Sequence, residues 1–408
     1  MREILRKPIV FSLIFVAGCI APRSPSVPSE SVADTIISRE LAPGVSYRQF
    51  VDPHGPFVAY VIRVDLRRAD LDLRHIRAFD RLKGREKVSS MVRRATGLRA
   101  RDTILAAVNA DFFDLKTGET ENNQVVAGEW WKGLKVTDSP YDTYDNVHVQ
   151  FAMDAARHPL IDRFILDGKA WSRTGVMTPI VNVNHNPSGV PEGTALYTSR
   201  FGSATPRDTA RLTAEATLVA AGTRGDTLIF VRRGETSAAS GSAIPQGGAV
   251  LAGYADRAKE IRAMADGDTV RILLAPLPRA PKGSPVSLIV GGWPRILRDG
   301  ENIAGDAATV EGTISRNAEA RHPRTSVGFS RDSSTLFLVA VDGRTQRSVG
   351  ATLVELAALM RRLGAWQAMN FDGGGSTTMV VGGAVMNIPS DSAGERAVGS
   401  ALALVRKR

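Results

Sequence analysis

Cysteine is almost missing: the chain of 408 residues has one, Cys19. That excludes a disulfide framework and any zinc site built on cysteine pairs. Histidine is scarce too, with six residues scattered along the chain and no HExxH pairing, so the zinc-hydrolase pattern is absent. No GxSxG elbow opens a helix, and no Gly-rich loop is followed by lysine, which removes the serine-hydrolase and P-loop nucleotide readings. Net charge is +10, yet no dense Lys/Arg run with interleaved aromatics accompanies it. The basic residues are mixed with acids, as on a solvated surface, and no nucleic-acid partner is expected.

What remains is an ordinary globular composition, 43% hydrophobic and 23% charged, long enough to bury one large core or two modest ones. The N-terminus is the exception. Arg2, Arg6 and Lys7 precede the apolar run "IVFSLIFVAG", which is too short to span a bilayer and has the layout of a signal peptide. It ends on "VAGC", so the sole cysteine resembles the lipidated residue of a bacterial lipoprotein box. The expectation is a signal peptide over 1–18, a Pro/Ser-rich tether over 19–42 and a catalytic domain over 43–408. Acylated Cys19 would anchor the chain to a membrane of the bacterial cell envelope, and Ile20 after it is compatible with outer-membrane sorting facing periplasm or surface.

Past the tether the pattern is mostly β. "FVAYVIRVDLRRADLDLRHI" alternates as half-buried strands do, "VSSMVRRATGL" reads as a helix, and "TILAAVN" as a buried strand. Residues 195–285 read as a β-rich subdomain of short strands. Toward the C-terminus come the strand "SSTLFLVAVDGR" and the helix "TLVELAALMRRLG", with Thr352 and Glu355 at capping-box spacing and Gly364 as its stop. "WQAMNF", a Gly-rich loop, "TTMVV" and a Gly382-Gly383 hairpin turn follow. The order predicts an α/β mixed (α+β) fold, a mixed β-sheet core with flanking helices.

The Gly-rich loop raises the functional question. Asp372 stands directly before three glycines, whose ordering is entropically costly, between two stretches that read as strands. Three other strand ends carry polar groups: Asn109 and Asp111 with Phe112 and Phe113 as an apolar wall, Arg321 and Arg324, and Asp342 with Arg344. Asn370, Ser376 and Thr377 complete the Asp372 loop. Arginine grips phosphate with a planar fork, and carboxylates and amides suit sugar hydroxyls and an oxocarbenium ion. Taken singly, each is a common turn former. Trp130-Trp131 reads as a sugar platform or as core, and His185 and His322 receive no role.

The segments "AAVNADFF", "VGGWPRILRDG", "RHPRTSVG", "VDGR", "NFDGGGSTTMVV" and "NIPSDSAGERAVGSAL" stand in the order seen in phosphodiester glycosidases, and the resemblance runs from about Ala42 to Leu404. It implies hydrolysis of an α-glycosyl phosphodiester, such as an N-acetylglucosamine 1-phosphodiester, into sugar and phosphomonoester. It also implies Asp372 and Asp111 as catalytic residues. The implied substrate-binding set is Asn109, Phe113, Arg324, Thr325, Asp342, Arg344, Asn370, Gly373, Gly374, Ser376 and Thr377. Ala110 departs from the family, which commonly has glycine before the Phe pair. Asp342 and Glu395 stand beside Asp111 as alternatives for the second carboxylate. No cofactor is called for, and metal use is left open. The alternative from another class is a non-catalytic envelope lipoprotein that binds or organises a phosphorylated exopolysaccharide.

Overall fold

The computed structural model describes residues 35–52, 55–98, 102–135, 148–186, 192–311 and 320–407. The signal-peptide expectation and Cys19 lie outside these residues. Strand accounts for 49% and helix for 12%, so the fold is sheet-rich with few helices. Among the described residues no helix is long and apolar enough to cross a membrane.

Two sheets position the site. An eight-stranded sheet runs in the order Thr35–Ala42, Val45–Asp52, Phe57–Asp65, Thr335–Val341, Arg324–Phe329, Gln367–Asn370, Arg295–Arg298, Glu301–Asn302. A five-stranded sheet runs Ala384–Val385, Met379–Val381, Thr103–Asn109, Ser400–Arg406, Leu71–Arg77. Strand periodicity sends alternate side chains to opposite faces. Tyr60, Ile62, Leu336 and Leu338 therefore meet Leu73, Val108, Leu402 and Leu404 in a core between the two sheets. Ala59, Val61, Phe337 and Val339 face the other way, onto the helix Leu353–Arg362. Ile104, Ala401, Ala403 and Val405 pack under the helix Val88–Leu98. The result is four layers: helix, sheet, sheet, helix.

Several expectations are corrected here. Thr35–Ala42, counted in the tether, is a strand paired with Val45–Asp52. Phe57–Asp65 is buried on both faces at most positions rather than half-buried, because the sheet lies between two layers. The core sheets are antiparallel at every pair, not mixed. The reason is topological. The helix Leu353–Arg362 carries the chain over Arg324–Phe329 to its far side, so Thr335–Val341 and Gln367–Asn370 both flank that strand antiparallel to it.

The helix itself starts as its sequence dictates. Thr352 and Glu355 form a reciprocal capping box, and Gly364 takes φ +100° just past the last turn. Most of 195–285 belongs to a thirteen-stranded sheet that also recruits strands from 124–183 and Val286–Gly291. It folds back on itself, since Gly133 on one strand lies against Leu166 on a distant one. A separate apolar core fills its inside. Trp130 belongs to that core, and Trp131 is capped by the Arg200 guanidinium 4.1 Å above its ring.

Candidate active site

Asn109 ends the strand Thr103–Asn109 and is 1% exposed. Its Nδ2 donates to the Asp372 carbonyl at 2.7 Å, and its Oδ1 accepts from Thr325 Oγ1 at 2.7 Å and from the Thr378 amide at 3.0 Å. One side chain thus staples the two sheets where three of the sequence segments converge. Asn109 and Thr325 are fasteners; neither lines the cleft.

The backbone of the Asp372 loop is pinned at both ends. Phe371 N–H donates to the Thr325 carbonyl at 2.8 Å, Asp372 N–H to Ala110 at 2.9 Å and Gly374 N–H to Pro323 at 2.9 Å. Each glycine has its own reason. A Cβ on Gly373 would lie 2.7 Å from the Pro323 carbonyl oxygen. Gly374 adopts φ +59° and sits under Arg344, whose Nη2 would be 3.0 Å from a Cβ. A Cβ on Gly375 would fall 2.1 Å from both Arg396 Nη2 and Asp391 Oδ1. The loop then makes a single 3-10 turn, Gly374–Ser376, before the strand Met379–Val381.

Around it opens a cleft of about 200 Å³. Asp372, Asn370, Arg324, Arg344, Arg396 and His322 line it, and Phe112 and Trp293 supply apolar surface. Burial pushes the Asp372 carboxyl up to about 6, against the pull of Ser376, Arg396 and the Gly373 amide; the nearby Asp111 charge adds to the rise. Arg324 is 5% exposed, and burial together with the neighbouring Arg344 draws it down to about 10. It donates to the carbonyls of Ala351 at 2.9 Å and Ala320 at 2.8 Å. Arg344 is exposed and more loosely held, 3.3 Å from His322 Nδ1 and 3.5 Å from Ser390 Oγ.

Asp111 is 1% exposed and sits behind the cleft rather than on its wall. Burial raises its pKa, while hydrogen bonds from Asn122 and the charges of Lys132 and Arg77 oppose the rise. Asp342 is engaged elsewhere: it accepts from Tyr60 Oη at 2.7 Å and from the Ile388 amide at 2.9 Å, tying those two distant segments to its strand end. Phe113 turns into the core beneath the helix Val88–Leu98, and its neighbour Phe112 reaches the cleft instead. Thr377 is buried, its carbonyl taken by Asn387 at 3.0 Å. Asn370 donates to the Trp293 carbonyl at 2.7 Å, Ser376 lies 3.4 Å from Arg396 Nη1, and Arg321 pairs with Glu355. Glu395 caps the helix Val88–Leu98 through Ser89, at 2.8 and 2.6 Å, and is not a second acid in the cleft.

Arg396, His322 and Trp293 are the cleft residues that sequence reasoning missed. Arg396 had a signal, the acid Asp391 five residues before it in "SDSAGER". It forks onto that carboxylate at 2.7 and 2.9 Å. Among the described residues no group of three His, Cys, Asp or Glu side chains is arranged to hold a metal ion.

The phosphodiester glycosidase family model matches residues 217–405, a stretch that contains Arg324, Arg344, Asp372 and Arg396. Asn109 and Asp111 precede it. The N-acetylglucosamine-1-phosphodiester alpha-N-acetylglucosaminidase of Mus musculus is 30% identical over 115 residues, 26% of this chain and 22% of that protein. The match thus spans less than a quarter of the curated relative's length. Among solved structures, a hypothetical protein from Synechocystis superposes with TM-score 0.69 at 20% identity, over 91% of this chain and 63% of that one. A Burkholderia pseudomallei K96243 protein described as exported superposes with TM-score 0.62 at 24% identity, over 86% and 74%. These two likenesses are of fold.

Proposed function

We propose that the chain, whose residues 217–405 match the phosphodiester glycosidase family model, hydrolyses an α-glycosyl phosphodiester in the cleft around Asp372. One observation carries the reading: Asp372, whose pKa burial pushes up to about 6, lines one small cleft together with the guanidiniums of Arg324 and Arg344. Arg324 donates to the carbonyls of Ala351 and Ala320, and Arg344 lies 3.3 Å from His322 Nδ1 and 3.5 Å from Ser390 Oγ. Both guanidiniums line the cleft, where an anionic phosphate would meet them. Arg396 is largely neutralised by Asp391.

The chemistry follows from the leaving group. Breaking the bond between the anomeric carbon and the phosphate oxygen expels a phosphomonoester whose second pKa is about 6. Such a group leaves with little help from a general acid. The cleft then has two tasks, holding the departing phosphate and supporting a sugar that becomes cationic. Arg324 and Arg344 serve the first. Asp372, with Asp111 behind it, serves the second as base or nucleophile. Phe112 and Trp293 offer apolar surface to the sugar ring. The natural substrate in this reading is a glycosyl phosphodiester of the cell envelope, met by a chain exported and anchored through Cys19.

The deciding experiment incubates the purified protein with a synthetic α-N-acetylglucosamine phosphodiester and follows free sugar. Sugar release over many turnovers supports the hydrolase. Binding of the diester with no release replaces it with a phosphoglycan-binding lipoprotein.

A further inference from the structure

A fully buried carboxylate must be met by donors, because leaving one unpaired is costly. At Asp111 a single residue meets both oxygens. The Asn122 backbone N–H donates to Oδ2 at 3.1 Å, and its Nδ2 donates to Oδ1 at 2.8 Å. Asn122 is itself 0% exposed. A tight loop, closed by the Phe113–Thr120 bridge, returns it beside Asp111. On the other side Gly291 leaves no slack: a Cβ there would lie 2.5 Å from Asp111 Cγ and 2.4 Å from Asn122 Cβ. The carboxyl has one orientation.

We propose that Asn122 is the positioning residue of the carboxylate pair: it holds Asp111 as the fixed negative charge and thereby leaves Asp372 to carry the proton. The inference rests on the hydrolytic reading above. A carboxylate that accepts two N–H bonds is favoured in its charged form. Protonated Asp111 would point its O–H at one of those donors unless the Asn122 amide turned over. Among the described residues Asn122 Oδ1 has no donor, so the amide is oriented to serve Asp111.

Burial is the largest influence on Asp111 and pushes its pKa up; Arg77 and Lys132 join Asn122 in opposing that rise, and Asp372 and Glu121 are the carboxylates beside it. Around Asp372 stand Ser376, the Gly373 amide, Arg396 and Asp111. Two neighbouring carboxylates resist ionising together, so holding one charged drives the proton to the other. In the reaction the bond between the anomeric carbon and the phosphate oxygen breaks, and its electron pair leaves on the phosphomonoester. A water oxygen then bonds to the cationic carbon as its proton passes to ionised Asp372. Asp111 supports the cationic sugar between these events.

Carbon-13 labelling of aspartate carboxyls in the whole protein, assigned with Asp111→Asn and Asp372→Asn, follows both titrations by NMR. As pH falls, Asp372 should take up its proton before Asp111. In Asn122→Ala, Asp111 should bind its proton at least tenfold more tightly and the Asp372 midpoint should move down. Asp111 protonating first in the unaltered protein overturns the inference, and so does an unmoved Asp111 midpoint in folded Asn122→Ala. If that variant does not fold, the order in the unaltered protein decides alone. Turnover on the same samples separates the two claims. The expected titrations without turnover sink the hydrolase and leave Asn122's hold on Asp111 standing, and turnover with the reversed order does the opposite.

Discussion

Arg396 grips Asp391 with two edges of its guanidinium, Nε to Oδ2 at 2.7 Å and Nη2 to Oδ1 at 2.9 Å, directly over Gly375. Arg396 lines the cleft beside Asp372. Its third nitrogen, Nη1, lies 3.4 Å from Ser376 Oγ, and Ser376 and Arg396 both favour the ionised Asp372 carboxyl. The loop that holds Arg396 is therefore coupled to the charge of the proposed base.

Gly375 and Gly373 should respond differently to alanine. At Gly375 the colliding atoms are the far ends of two flexible side chains, which can move aside. Gly375→Ala should lose under about 1.5 kcal/mol of stability but displace Arg396, with turnover falling roughly tenfold or more. At Gly373 the colliding atom is the Pro323 carbonyl oxygen, which is fixed backbone. Gly373→Ala should cost about 1–3 kcal/mol of stability as well as activity. Denaturant unfolding and turnover on both variants check the contrast, and equal stability losses would refute it.

The two phosphate-side arginines should also separate. Arg344 is exposed and loosely held, so Arg344→Ala should lose about 1.5–3 kcal/mol in kcat/KM with little change in Tm. Arg324 is buried and satisfies two carbonyls. Arg324→Lys keeps the charge but loses the fork, so activity and Tm should fall together. Unchanged kinetics in both variants would move the phosphate elsewhere.

Local structure was legible where one segment decides it alone. The helix Val88–Leu98, the strand Thr103–Asn109 and the Thr352–Glu355 box stand as their sequences read. The hairpin turns at Gly382 (φ +56°) and Gly383 (φ +85°), as its two glycines announce. Layering was not legible: Phe57–Asp65 alternates between two apolar faces, so its burial leaves no polar phase to detect. Partnership across the chain was invisible for the same kind of reason. Asn109 binds groups 216 to 269 residues away, and no local pattern tells a staple from a ligand. At Phe112-Phe113 the sequence offers two aromatics, and the backbone direction decides which one reaches the cleft.

The leader segment makes a prediction of its own. If Cys19 is acylated, metabolic labelling with a radiolabelled fatty acid should mark the protein, and Cys19→Ser should abolish the label and move the protein out of the membrane fraction. Equal label in both would end the lipoprotein reading.

Asp372→Asn provides the sharpest test because activity and stability should move in opposite directions. The folded protein raises the Asp372 pKa from 3.8 to about 6, mainly through burial, so it binds this proton more tightly than the unfolded chain does. Ionised Asp372 therefore opposes folding above pH 6, and the cost fades as pH falls toward 3.8. At about 1.4 kcal/mol per pH unit, discounted because the carboxyl lines an open cleft, the cost at neutral pH is roughly 1–3 kcal/mol. The amide is nearly isosteric and carries no charge, so Asp372→Asn should melt higher than the unaltered protein at pH 7.5. At pH 4 most of that gain should have gone. Turnover of the glycosyl phosphodiester should nevertheless drop at least a hundredfold, about 2.7 kcal/mol of lost transition-state stabilisation. An Asp372 that merely pins its turn forecasts the reverse: full activity in Asp372→Asn and no pH-dependent gain in Tm. Melting curves at the two pH values, with turnover at pH 7.5, decide between a proton-carrying carboxylate and a turn former.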